Sequence, residues 1–269
     1  MRRISDGPTY LFVDFSNFAI RSGAASLSPY GLVRRALLRT RDVVRLTHAT
    51  HVAFALDPVL VSPRYAGTLD KARSSVAGRL LGELGYPTYA AGGWSADDIL
   101  VSLAAQAEAA GYHAIVTSGD HGLRRALGER TDVLEVKSRP GGVRLVWRTA
   151  QALQASGISV ADHLALGTRQ VSDRSQPAIV DGRTAKRLLV EFGSIDALYA
   201  NIAAVEPDGL RARLLEMEPV ARARAAHVAA RAISPVCFDP SLGRLGAGTI
   251  ALVEPSLAGL DRLTIGTSV

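Results

Sequence analysis

Five aspartates in the first half of the chain could do chemistry together. Asp14 ends the apolar run Tyr10–Val13, Asp57 follows His51–Leu56, and Asp120 follows His113–Ser118 by one glycine; Asp97 and Asp98 open the stretch Ala96–Ala110. In an open parallel sheet, ligands bind beyond the carboxyl ends of the strands, so acids at these positions would converge on one patch. Carboxylates gathered in this way repel and raise one another's pKa unless cations neutralise them. Hard divalent cations do this through oxygen ligands, and Mg²⁺ keeps several waters and accepts substrate phosphate as well. A cluster of Asp without His or Cys partners points to Mg²⁺ or Mn²⁺ rather than zinc. Such a metal activates water near neutral pH and stabilises charge on a phosphodiester. Blander readings stand beside this one. A single Asp after a strand is commonly a loop residue, and Ser95-Ala96-Asp97-Asp98 also fits a capping box, with Ser95 as N-cap and Asp98 reaching back. The recurrence of Asp at successive elements, all on one edge, favours the site.

The elements needed to position these acids are legible. Strands are predicted at Tyr10–Asp14, His51–Asp57, Thr88–Ala91, His113–Ser118 and Thr131–Val136, with helices at Pro29–Leu46, Leu69–Leu84 and Ala96–Ala110 between them. This alternation predicts an α/β fold, a mostly parallel sheet with helices on both faces. Gly111 supplies the left-handed stop of the last helix, and Arg139–Gly142 reads as a hairpin turn with its return strand at Val143–Trp147. Beyond Thr149 the pattern changes to short helices, Val160–Leu166, Thr184–Phe192, Ile195–Ile202 and Leu210–Ile233. The expected division is a core over 1–148, a helical region over 149–233 and an unassigned tail over 234–269.

Composition narrows the partners. The 269 residues, 48% of them hydrophobic, suffice for a full core. With 31 Lys and Arg against 25 Asp and Glu, the net charge of +6 favours nucleic acid ahead of an anionic membrane. The single Cys237 excludes an internal disulfide and a cysteine zinc site, and it fits a reducing compartment, so a cytoplasmic location is expected. Met1–Asp6 carries two arginines with no apolar core after them, and Tyr10–Val13 is too short to span a membrane. No Gly-rich dinucleotide motif or P-loop occurs.

Taken in order over residues 10–202, these motifs resemble the 5′-3′ exonuclease and flap endonuclease family, which includes the N-terminal nuclease domain of bacterial DNA polymerase I. Leu11–Asn17 followed by Arg21 is similar to the family's opening strand, Asp-Gly-Ser/Asn turn and helical Arg. Tyr30-Gly31 is similar to the pair that begins its next helix, and His51–Asp57 to its second strand. Gly92–Ile99 resembles its Glu-Ala-Asp-Asp motif, and Val116–Asp120 follows at the usual distance. Gly157-Ile158, Leu164–Leu166, Thr184–Leu189 and Phe192–Ser194 look like its helix–hairpin–helix region, which grips the DNA backbone. The resemblance implies a PIN-like, Rossmann-like core followed by that helical region. It also implies Mg²⁺-dependent or Mn²⁺-dependent hydrolysis of DNA, at a 5′ flap, an overhang or another branched structure. The implied metal-binding and catalytic residues are Asp14, Asp57, Asp97, Asp98 and Asp120; Arg21, Arg64, Lys71, Thr184 and Lys186 are the implied DNA contacts.

The departures from the family pattern cluster. Ser95 stands where the family has Glu, Gly122 where it has the second Asp of Gly-Asp-Lys-Asp, and Arg169 and Ser172 where it has two further acids. The retained Asp14, Asp57, Asp97 and Asp98 resemble ligands of the family's first metal, whereas Gly122, Arg169 and Ser172 fall among those of its second. The reading is one dominant Mg²⁺ and a feeble enzyme. Arg169 is either a guanidinium set against the scissile phosphate or an ordinary surface residue. The arch that normally follows Arg64 and Lys71 is truncated, because Ser74–Leu84 runs straight into a helix. Two alternatives remain: a DNA-binding relative with impaired catalysis, and a PIN-like ribonuclease. The helical region Thr184–Ser194 argues against the second, and Ser16 argues against a haloacid-dehalogenase phosphatase, which needs a second Asp there. Arg211, Arg213, Arg222, Arg224 and Arg231 stud the last helix, where they either follow a DNA backbone or form a solvated face.

Overall fold

Short apolar runs bounded by turns form the strands, and the stretches with helical spacing pack over them. The computed structural model describes residues 7–20, 28–57, 71–119, 121–139, 142–150, 155, 157–167, 178–229 and 234–245. The core runs through β1 (Thr9–Asp14), α1 (Phe15–Ile20), α2 (Pro29–Thr47), β2 (His51–Ala55), α3 (Lys71–Glu83), β3 (Thr88–Tyr89) and α4 (Ala96–Ala109). It continues through β4 (His113–Ser118), a 3₁₀ helix (His121–Ala126), β5 (Thr131–Arg139) and β6 (Gly142–Arg148). The helical region holds α5 (Val160–Gly167), α6 (Gly182–Phe192), α7 (Ile195–Ala200) and α8 (Asp208–Ala229).

The six strands make one sheet in the order β3-β2-β1-β4-β5-β6. All neighbours are parallel except the β5–β6 hairpin. The expected α/β architecture is therefore found, with β1 and β4 at its centre. Alternate residues face opposite sides. Leu11, Val13, Val52, Phe54 and Ile115 pack with α2 and α3 on one face. Tyr10, Phe12, Ala53, Ala55, Ala114 and Val116 pack with α4 on the other. Burial on both faces explains why β1 and β2 read as continuous apolar runs. Each fully buried Leu, Ile or Phe in these layers contributes roughly 1.5–3 kcal/mol.

The ends of α4 are set by local chemistry. Ser95 and Asp98 form the predicted capping box, and Gly111 adopts φ 86°, the left-handed conformation that turns the chain into β4. The predicted Ile195–Ile202 helix is instead α7 followed by a separate 3₁₀ turn at Ile202–Ala204.

The helical region carries its own core, including Ile158, Leu166, Ile179, Leu188, Leu198 and Leu214. Several arginines of α8 are tied to their own region. Arg213 donates to the carbonyl of Ile179 at 2.5 Å, and Arg211 pairs with Asp208 at 2.6 Å. Arg222 bonds Glu218 at 2.8 Å, pairs with Asp196 and lies 5.3 Å over the Tyr199 ring. Arg224 is buried, and Arg231 lies outside the described residues. No helix among the described residues is long and apolar enough to cross a membrane.

Residues 234–245 wrap over the core. The side chain of Gln106 donates to the Val236 carbonyl and accepts from the Phe238 amide. Phe238 packs edge-on against Tyr10 and Tyr112, and the Tyr10 hydroxyl reaches the Pro240 carbonyl at 2.5 Å. The Val52 amide donates to the Gly243 carbonyl. Gly243 has φ 75°, and a Cβ there would lie 2.4 Å from the Val52 oxygen, so only glycine permits this crossing.

His163 on α5 is buried where core and helical region meet. Burial lowers its pKa below 6.5; the Gly182 backbone opposes this, while Arg124, Lys186 and Arg148 lower it further. The folded imidazole binds its proton less readily than the unfolded one, so its contribution to stability is present above the unfolded pKa. It is lost as pH falls through the folded value. The urea midpoint is expected to drop from pH 7 to about pH 5, and to drop less in His163→Gln. Parallel pH profiles in the two proteins would refute this.

Candidate active site

The acids lie at the carboxyl edge of the sheet, and the sequence ties them there one by one. Asp14 is the last residue of β1 and is 5% exposed. Its Oδ1 accepts from the Asn17 amide at 3.0 Å and its Oδ2 from the Ser118 hydroxyl at 2.7 Å. Asn17 also accepts the Gly119 amide at 2.9 Å, so the turn after β1 and the loop after β4 are pinned to each other. Neutral donors of this kind orient a carboxylate without cancelling its charge.

Asp57 lies just past β2, and its Oδ1 accepts the Ala96 amide, the first residue of α4, at 2.7 Å. Asp97 and Asp98 sit in the first turn of the same helix. The N-terminus of α4 thus gathers three acids, where its dipole and unpaired amides favour negative charge. Both oxygens of Asp98 are engaged. Oδ2 takes the Ser95 hydroxyl at 2.7 Å and the Ser95 amide at 3.3 Å, and Oδ1 takes Arg125 Nη2 at 2.5 Å. Burial pushes its pKa up, but the Ser95 hydroxyl, the Arg125 guanidinium and the Ser95 amide outweigh this and hold the carboxyl below its ordinary range.

Asn17 and Ser118 enter the sequence reading only as parts of motifs, without a role of their own, and Arg125 and Glu135 do not enter it. Strand register pairs Ser118 with Glu135, extending the row that Asp14 begins. Glu135 is 1% exposed and is surrounded by cations: Arg124 pairs with it, and Lys137 Nζ and Arg148 Nη2 each lie 3.4 Å away. A signal was available. Glu135 is an acid inside the apolar run Val133–Val136, and it needs a counter-ion that the preceding Arg124-Arg125 pair can supply.

Of the DNA contacts implied by the resemblance, Thr184 and Lys186 lie on α6. The Thr184 hydroxyl donates to Asp181, the N-cap of that helix, at 2.6 Å, and Lys186 is exposed. Lys71 opens α3, and its side chain is outside the described set. Asp120, Arg21, Arg64 and Arg169 lie outside the described residues.

The donors at this edge suit Mg²⁺ in kind: all are carboxylate or hydroxyl oxygens, the ligands a hard cation prefers. The Ser16 hydroxyl, in the turn directly after Asp14, is buried with no hydrogen-bond partner among the described residues and adds one more such oxygen. Among the described residues no three His, Cys, Asp or Glu side chains are grouped as a metal site.

No family model matches the chain. DNA polymerase I of Mycobacterium leprae is 29% identical over 227 residues, covering 76% of this chain and 24% of that protein. The Mycobacterium tuberculosis H37Rv enzyme is 29% identical over 224 residues, 74% and 23% of the two chains, and the Deinococcus radiodurans enzyme 32% over 145 residues, 52% and 14%. The chain thus spans about a quarter of the length of the mycobacterial relatives it matches. Among solved structures, a phage T5 5′-exonuclease with bound divalent zinc superposes with a TM-score of 0.59 at 12% identity, covering 94% of this chain and 98% of that one. Human GEN1 in complex with Holliday junction DNA gives 0.55 at 11% identity, covering 94% and 68%. The chain is similar in sequence to DNA polymerase I of these bacteria over about three quarters of its own length, and it shares the fold of the T5 5′-exonuclease.

Proposed function

We propose that this chain is a Mg²⁺-dependent 5′ nuclease that hydrolyses phosphodiester bonds in DNA at 5′ flaps, overhangs or related branched structures, with Mn²⁺ able to replace Mg²⁺. The observation that carries the reading is the anchoring of four acids to one sheet edge, through Ser118 to Asp14 and through the Ala96 amide to Asp57 beside Asp97 and Asp98. Asp14, Asp57 and Asp97, with Asp120, are the proposed holders of the cation and Asp98 an additional acid of the edge. When bound, Mg²⁺ would supply an activated water and offset charge on the phosphodiester. The protein's own part is positional. Asn17 and Ser118 fix the Asp14 carboxylate, and the first turn of α4 fixes Asp57.

Residues 1–148 are proposed as the nuclease core and 149–233 as the DNA-gripping region. There Thr184 and Lys186 would meet the backbone on one side, and Arg21, Arg64, Lys71 and Arg169 would meet phosphate near the acids. The single thiol Cys237 suits the cytoplasm. A second reading, a DNA-binding relative with impaired catalysis, is favoured by the double engagement of Asp98. An end-labelled 5′-flap duplex decides between the two. Release of the flap in Mg²⁺ or Mn²⁺, stopped by EDTA, supports the nuclease; tight binding with no release in either metal supports the second reading.

A further inference from the structure

We propose that Arg125 is a positioning residue, a resident cation that holds Asp98 out of the metal-ligand set and competes with the divalent ion for the acidic edge. This rests on the reading above that the edge binds such an ion. The geometry at Asp98 carries the inference: it receives a guanidinium on one oxygen and the Ser95 hydroxyl and amide on the other. A charged donor competes with a divalent ion for the carboxylate it bonds.

The Arg125–Asp98 pair is partly withdrawn from water, with side chains 12% and 24% exposed, so solvent screens it less than a surface bridge. Arg125 is anchored a second time, because its Nη1 lies 3.1 Å from His227 Nε2 on α8. The guanidinium is thereby fixed from both the core and the helical region. Arg125 lies within the 3₁₀ helix His121–Ala126.

Mn²⁺ affinity of the full chain, read by calorimetry, tests the proposal. Arg125→Gln removes one positive charge beside the dication and frees Asp98 Oδ1, and it is expected to bind Mn²⁺ roughly tenfold more tightly than wild type. Adding Asp98→Asn should return the affinity to within about threefold of wild type, since the gain comes from the released carboxylate. Unchanged or weaker binding by a folded Arg125→Gln overturns the proposal, even where flap cleavage shows that the nuclease reading holds. Absence of Mn²⁺ binding in every variant, together with absence of cleavage, overturns both. Should Arg125→Gln fail to fold, wild type alone decides by NMR. The Arg125 Nη2–H signal keeps its exchange protection on titration with Mg²⁺ if Asp98 stays withheld, and its loss, showing that the metal takes Asp98, overturns the proposal.

Discussion

Asp14→Asn is expected to lower the rate of 5′-flap cleavage about a thousandfold while the melting temperature moves by only a few degrees. The rate loss follows from charge. A ligating carboxylate and its amide differ by one negative charge at the metal, and a few kcal/mol of lost transition-state stabilisation is about three powers of ten. The intact fold follows from the partners. The Asn17 amide needs only an acceptor, which the side-chain carbonyl oxygen of the substituted residue would supply in the same place. The Ser118 hydroxyl donates to Asp14 now, and it can rotate to accept from the new amide instead. Gly119 would stay bonded to Asn17, so the loop leading to Asp120 keeps its anchor. Single-turnover cleavage beside a thermal melt separates the two effects. A melt lowered by ten degrees or more would make the lost rate uninterpretable as chemistry, and a rate within tenfold of wild type would remove Asp14 from the proposed metal site.

The sheet was legible because burial on both faces writes itself into the sequence as uninterrupted apolar runs. Tyr10–Val13 and His113–Ser118 have no alternation to misread, and both strands lie where expected. The capping box at Ser95–Asp98 was equally readable, because its spacing is local. Asp98 caps the helix as its spacing predicts. What stayed hidden depends on contacts distant in sequence. Ser118 matters because β4 lies beside β1, bringing it to Asp14 across 104 positions, and no spacing rule reports that. The segment 234–245 looked featureless because its order is imposed from outside, by Gln106, Tyr10 and β2. The internal contacts of the α8 arginines were hidden for a related reason. A basic helix facing solvent and one tied to carbonyls and acids of its own region have the same composition.

Arg124→Met is expected to destabilise the protein by about 3 kcal/mol, an effect on the order of 10 °C in melting temperature for a chain of this size. Glu135 cannot turn to water, since it is 1% exposed within β5. Its charge is tolerated because Arg124 pairs with it closely, while Lys137 and Arg148, each 3.4 Å away, contribute at longer range and are themselves 39% exposed. Removing Arg124 takes away the closest cation and leaves Lys137 and Arg148 at longer range, with a desolvation cost they do not cover. That cost belongs to the unmatched charge rather than to the worth of the bridge, a distinction that can be measured. The double variant Arg124→Met with Glu135→Leu removes both charges, and replacing a buried pair by apolar groups is often neutral. It should recover most of the loss, because Lys137 and Arg148 are exposed enough to hydrate on their own. Thermal and urea melts of the single and double variants decide the matter. A single variant within about 1 kcal/mol of wild type would show that Lys137 and Arg148 suffice. A double variant no better than the single would instead assign the loss to packing of the Arg124 stem against its surroundings.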